Sequence, residues 1–137
     1  MNKKYIGLCR ARTPKSEDAV YGYYWAYDKA SYCFEGEAPD DNTVHKLLFE
    51  ESGDWGMENN LKCADILPET LQRFTGCWDK NGHMVYEGDK LKFYGETLEV
   101  IWDDEYCKFA FRDENNRDAF VFNRKTVRMC EVVDEKK

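Results

Sequence analysis

The stretch from Ile66 to Asp104 most constrains the fold, because it is cut at short intervals by turn residues and the runs between the cuts alternate. Asn81-Gly82 stands between two apolar and aromatic runs. An Asn-Gly pair in that setting predicts a tight type I′ hairpin, since both residues tolerate positive φ. Glu87-Gly88-Asp89 marks a second turn. Beyond it Leu91, Phe93, Leu98, Val100 and Trp102 recur with the period of two expected of half-buried strands, and Gly95-Glu96 reads as the turn of a hairpin running from Asp89 to Asp104.

The remaining sequence reads in the same way. Ala19 to Tyr27 predicts a strand with Tyr21, Tyr23, Trp25 and Tyr27 on one face and Val20, Tyr24 and Ala26 on the other. Asp28-Lys29-Ala30 then turns the chain and Ser31 to Phe34 returns. Aromatics on both faces call for cover on both sides or for a contact surface. Glu37 to Asn42 is an acidic loop, Thr43 to Glu50 leans to strand over short helix, and Ser52 to Asn60 is a loop whose Trp55 needs a packing partner. Pro68 to Phe74 is a candidate helical turn, with Pro at the first helical position. Lys108 to Phe111 and Ala119 to Phe122 bracket the polar loop Asp113-Glu114-Asn115-Asn116 as a third hairpin. Thr126 to Val133 alternates as a closing strand, and Asp134 to Lys137 should fray. The expectation is a mainly β fold, an antiparallel β-sandwich or small barrel of about eight to ten short strands with at most one short helix.

Ile66, Pro68, Thr70, Leu71, Phe74, Thr75, Gly76, Asp79, Tyr86, Gly88, Asp89, Trp102 and Asp103 follow an ordered pattern. It runs apolar-x-Pro-x-Thr-apolar-x-x-aromatic-Thr-Gly, then Asp, then aromatic-x-Gly-Asp, then Trp-Asp. This pattern resembles that of the YopX family of phage and prophage proteins. Val20 to Tyr24 is similar to an early hairpin of some members, whereas Gly7 to Ser16 departs from the commonest opening. The resemblance implies a β-rich fold and a phage or prophage origin, and it implies no activity. At 137 residues the chain suits one YopX-like domain over 1–137. An N-terminal β subdomain (1–65) beside a C-terminal one (66–137) stays open.

The formal net charge is −7, made of 8 basic and 12 acidic residues through Asp65 and 12 and 15 thereafter. Neither half offers the cationic face that phosphate binding demands, so nucleic acid is disfavoured as a partner. Arg124, Lys125 and Arg128 form the one basic cluster and read as a solvated strand end. The opening residues lack a signal peptide's apolar core, and no run approaches the roughly 18 apolar residues of a membrane span. The expected location is the host cytoplasm, where the thiols of Cys9, Cys33, Cys63, Cys77, Cys107 and Cys130 stay free.

Catalytic patterns are missing. The cysteines are spaced 24, 30, 14, 30 and 23 apart with no CxxC, and His45 and His83 have no second histidine nearby, so no metal site is predicted. Asp103-Asp104-Glu105 is the densest carboxylate run, but neighbours on a strand point to opposite faces. No serine elbow or phosphate-binding glycine loop occurs, and neither histidine has a neighbouring acid to orient it. The chain therefore reads as a non-enzyme without catalytic, cofactor or metal residues. It is expected to be an accessory protein acting by self-association, as a homo-oligomer, or by contact with a host or phage protein. Nucleic-acid binding through a small β-barrel is the alternative, with exposed aromatics stacking on single-stranded bases.

Overall fold

The computed structural model describes residues 3–31, 33, 34, 36, 39 and 41–133. The fold is mainly β, with antiparallel strand pairing, and it divides into two compact units, residues 7–71 and residues 72–137 together with 1–6. Among the described residues no helix is long and apolar enough to cross a membrane.

The first unit is a meander of β1 (Leu8–Thr13), β2 (Ser16–Asp28), β3 (Thr43–Glu51) and β4 (Asn60–Asp65), lying side by side in the order β4-β3-β2-β1. Pro14 and Lys15 turn β1 into β2, with Thr13 opposite Ser16. The predicted return strand over Ser31 to Phe34 is not formed: Ser31, Cys33 and Phe34 lie outside any strand, and Tyr32 is outside the described residues. The partners of β2 are instead β1, which the atypical opening concealed, and β3. Buried Asn42 closes the base of the intervening loop, accepting from Ala30 N–H at 3.2 Å and donating to Ala30 C=O at 3.0 Å. Gly22 is required where β2 meets β3, because a Cβ there would collide with the Leu48 carbonyl.

One face of this meander is covered. Cys9, Ala11, Leu47 and Ile66 form its core, with Val20 and Leu71 packed against them. The helical turn predicted from Pro68 to Phe74 shrinks to a 3-10 turn at Pro68–Thr70. Thr70 explains why it sits there: its hydroxyl donates to Leu67 C=O at 2.7 Å and accepts Arg12 N–H at 2.8 Å, tying the turn to β1.

The second unit begins with β5 (Gln72–Trp78) and β6 (Met84–Tyr86). It continues through β7 (Lys90–Phe93), β8 (Glu96–Asp103), β9 (Lys108–Arg112), β10 (Asp118–Ala119), α1 (Arg124–Val127) and β11 (Glu131–Val132). Strands β7 to β11 form an open sheet in the order β10-β9-β8-β7-β11, so the small-barrel alternative is not realised. Its core gathers Cys77, Val85, Leu91, Phe93, Leu98, Val100, Phe111, Val127 and Cys130. Leu91, Phe93, Leu98 and Val100 are the alternating positions of the sequence, and Trp102 at the end of the same row is half-buried against Phe109 at 5.1 Å. From the chain's other end, Tyr5 packs edge-on against Phe74 and Trp78.

The turns differ from expectation in type. Asn81-Gly82 does close the β5–β6 hairpin, but Asn81 stays at negative φ and only Gly82, at +80°, is left-handed. Asp79 N–H donates to His83 C=O and Gly82 N–H to Asp79 C=O, giving a three-residue loop with a left-handed last residue instead of type I′. The type I′ conformation occurs at Tyr94-Gly95, one residue earlier than the predicted Gly95-Glu96, with φ +49° and +81° between paired Phe93 and Glu96. The predicted closing strand over Thr126 to Val133 is also corrected. Its first part is α1, capped by Asn123 Oδ1 accepting Thr126 N–H at 2.8 Å, and only Glu131–Val132 pairs with β7. Of the predicted strand Ala119 to Phe122, Ala119 alone is in a strand.

Candidate interaction surface

Register decides which residues share a face, because directly opposed residues in an antiparallel pair point the same way. Leu8, Arg10 and Arg12 lie opposite Tyr23, Tyr21 and Ala19. Tyr23, Trp25 and Tyr27 lie opposite Leu48, Lys46 and Val44. Leu48 and Lys46 in turn face Cys63 and Asp65. The other face carries Cys9, Ala11, Val20 and Leu47 into the core, so Tyr21, Tyr23, Trp25 and Tyr27 form a row on the face turned away from it. All four are exposed, Trp25 at 54% and Tyr21 at 51%. Among the described residues this face of β2 is exposed while the other lies on the core. The Trp25 and Tyr27 rings lie 4.8 Å apart. Tyr24, of opposite parity, stacks on His45 and meets its Nδ1 at 2.5 Å.

Charge on the aromatic face is mixed. Lys46 Nζ is 3.5 Å from Asp65 Oδ1, and the Asp65 carboxylate, with Tyr27 and Cys63 adding to it, holds the ammonium above its usual pKa. Arg10 and Arg12 flank the aromatics on β1, and Glu50 lies on the same side at β3. Three cations against two carboxylates make no continuous track for phosphates. The face suits large amphipathic ring contacts, of the kind concentrated at protein interfaces.

The residues weighed for chemistry are occupied by backbone. Asp103 ends β8 and accepts Glu105 and Tyr106 N–H at 3.0 and 3.3 Å, while Asp104 and Glu105 lie exposed in the turn. Asp79, with a fully buried side chain, accepts Asn81 and His83 N–H on Oδ1 and Val132 N–H on Oδ2, at 2.8 to 3.0 Å. Burial pushes its carboxyl up, but the three backbone donors and nearby His83 outweigh burial and leave it below its ordinary value. His83 Nδ1 is 3.5 Å from Asp79 Oδ2, an acid–histidine pair missed in the sequence although the two stand four residues apart across a hairpin. Arg73 stacks on Trp102 at 4.2 Å and bonds Glu87 Oε2 at 2.8 Å. Among the described residues no three histidine, cysteine or acidic side chains gather as a metal-binding group.

The ordered pattern from Ile66 onward thus describes backbone geometry. Gly76, at φ +84°, lets β5 bulge between Phe74 and Trp78, and Thr75 Oγ1 fills the gap by donating to Val85 C=O. Gly88, at +88°, is the third residue of a turn in which Asp89 Oδ2 accepts Tyr86 N–H. Comparison with protein families matches residues 16–134 to the YopX protein family. The chain belongs to that family. No match to a curated protein was found. The YopX pattern in this chain marks a bulge, turns and their caps.

No disulfide links any of the six cysteines. Cys107 is exposed in the β8–β9 turn at φ +53°. Cys130 is buried, and burial followed by the charge of Asp79 pushes its thiol up to about 11; burial also raises Cys77. Thiol labelling of the native protein should be fast at Cys33, Cys63 and Cys107 and slow at Cys9, Cys77 and Cys130, with all six reacting after denaturation. Rapid native labelling of Cys130 would contradict this packing.

Proposed function

We propose that this YopX-family protein is a non-enzymatic phage accessory protein, and that it works by binding another protein or a second copy of itself through the outward face of β2. The observation that carries the reading is the exposed row of Tyr21, Tyr23, Trp25 and Tyr27 on a sheet whose opposite face already supplies the core. Rigid aromatic side chains lose little entropy on being covered, which makes them efficient contact residues. The double variant Tyr23→Ser/Trp25→Ser should keep the native circular dichroism, because neither ring belongs to the core. It should weaken concentration-dependent association in sedimentation velocity, or lose the partners that the native chain retains from phage-infected cells. Identical behaviour of variant and native chain in both measurements would remove the reading.

Arg10, Arg12 and Lys46 on the same face favour a second reading, in which the rings stack on a single-stranded nucleic acid. Its signature is retention of a labelled oligothymidine that falls steeply with salt and is lost in Arg10→Ser/Arg12→Ser. Salt-independent or absent retention would remove this second reading.

A further inference from the structure

The loop between β3 and β4 presents a second apolar feature, independent of the β2 face. Met57 N–H donates to Asp54 C=O at 2.8 Å across Trp55 and Gly56, and Gly56 sits at φ +79°. Below this turn the two arms are pinched. Asn59 Oδ1 accepts Gly53 N–H at 3.1 Å, Asn59 Nδ2 donates to Glu50 Oε2 at 3.4 Å, and a Cβ on Gly53 would collide with the Glu58 carbonyl. The loop is therefore a shaped tip, and its contents are Trp55, 101% exposed, and exposed Met57. The expected packing partner of Trp55 is not supplied by its own chain among the described residues.

Charge indicates what would cover it. From Phe49 to Leu61 there are four acidic residues, Glu50, Glu51, Asp54 and Glu58, and no basic one. Glu51 is paired with Lys62 at 3.3 Å, but Asp54 and Glu58, beside Trp55, form no ion pair among the described residues. The complementary surface occurs on the same polypeptide. The segment 121–129 exposes Val121 and Met129 together with Arg124, Lys125 and Arg128, and none of these cations has an ion-pair partner among the described residues. An apolar tip with an acidic collar and an apolar patch with basic side chains are opposite in sign and so complementary, and a guanidinium is a favoured neighbour of an indole face.

We propose that a second copy of this chain occupies the tip, with Trp55 and Met57 of one copy seated against the Val121–Met129 segment of the next. Such a contact uses two different surfaces, so it either closes reciprocally as a two-fold dimer or runs head-to-tail into a ring or chain. The tip's pinned base lowers the entropy lost on docking. The contact is small, and the association is accordingly weak and concentration-dependent.

Sedimentation velocity of the full chain tests this. The native protein should associate increasingly as concentration rises, and Trp55→Ala should weaken assembly roughly tenfold or more. Asp54→Lys/Glu58→Lys and Arg124→Glu/Arg128→Glu should each fail to assemble alone and recover assembly when mixed. All these side chains are exposed, so circular dichroism should be unchanged. Tyr23→Ser/Trp25→Ser should leave the Trp55-dependent part of the association intact, which separates this contact from the β2 face. A native chain that stays monomeric at the highest soluble concentration would overturn the proposal. So would assembly indifferent to Trp55→Ala, or charge-reversed chains that fail to recover on mixing.

Discussion

Replacing Asp79 with alanine should lower the unfolding free energy by about 3–4 kcal/mol, because it strands three backbone donors that the buried carboxylate now satisfies. Two of them, on Asn81 and His83, set the hairpin loop, and the third, on Val132, fastens β11 from far along the chain. Asp79→Asn should cost less, since one amide oxygen can still serve the loop while its NH2 group cannot accept from Val132. Acidity offers an independent check. The Asp79 carboxyl binds its proton more weakly in the folded chain than the ordinary value of about 4, so its contribution is complete above that value. It is lost as pH falls through the lowered folded value. Urea midpoints measured at neutral and at strongly acidic pH should therefore converge between native protein and Asp79→Asn. An equal gap at both pH values would show that the carboxylate charge is not what holds the loop.

Phe111→Ala should destabilise the second unit by about 3–5 kcal/mol, the range for a large ring removed from a core that cannot collapse around the cavity. Phe111 is 1% exposed, lies opposite Val100 in the β8–β9 register, and meets Phe122 at 4.9 Å. Urea unfolding followed at Trp78 and Trp102, in variants lacking Trp25 and Trp55, would report on this unit. A loss below about 1 kcal/mol would mean that the sheet's packing is misassigned.

Period and punctuation carried much of the fold from sequence. Leu91, Phe93, Leu98 and Val100 alternate and are all buried, and the glycines at 76, 82, 88 and 95 all stand at positive φ. The faces of β2 were legible for the same reason, but alternation says which residues share a face and not which face is covered. The turn at Asn81-Gly82 was misjudged because the dipeptide was weighed without Asp79, whose side chain takes the N–H groups of Asn81 and His83 and favours a longer loop. The four-residue helix α1 is too short for a 3.6-residue period to appear, so Val127, Met129 and Glu131 imitated a strand. Its local sign was Asn123, three residues before the N–H that it caps. Trp55 and Cys107 could not have been placed at all, since a lone apolar residue in a polar loop says nothing about whether anything packs on it.

Tyr5 gives the second unit a history that its strands do not show. Its ring rests on Phe74 and Trp78, so that unit is discontinuous in sequence, with residues 7–71 inserted between its first piece and the rest. During synthesis Tyr5 emerges before the meander, and Phe74 and Trp78 are not there for it to pack on until β5 has followed the entire meander out. The inserted unit has short turns between β1 and β2 and local pairings between β2, β3 and β4, and can form in the meantime. Residues made before the inserted unit therefore find their place only after it.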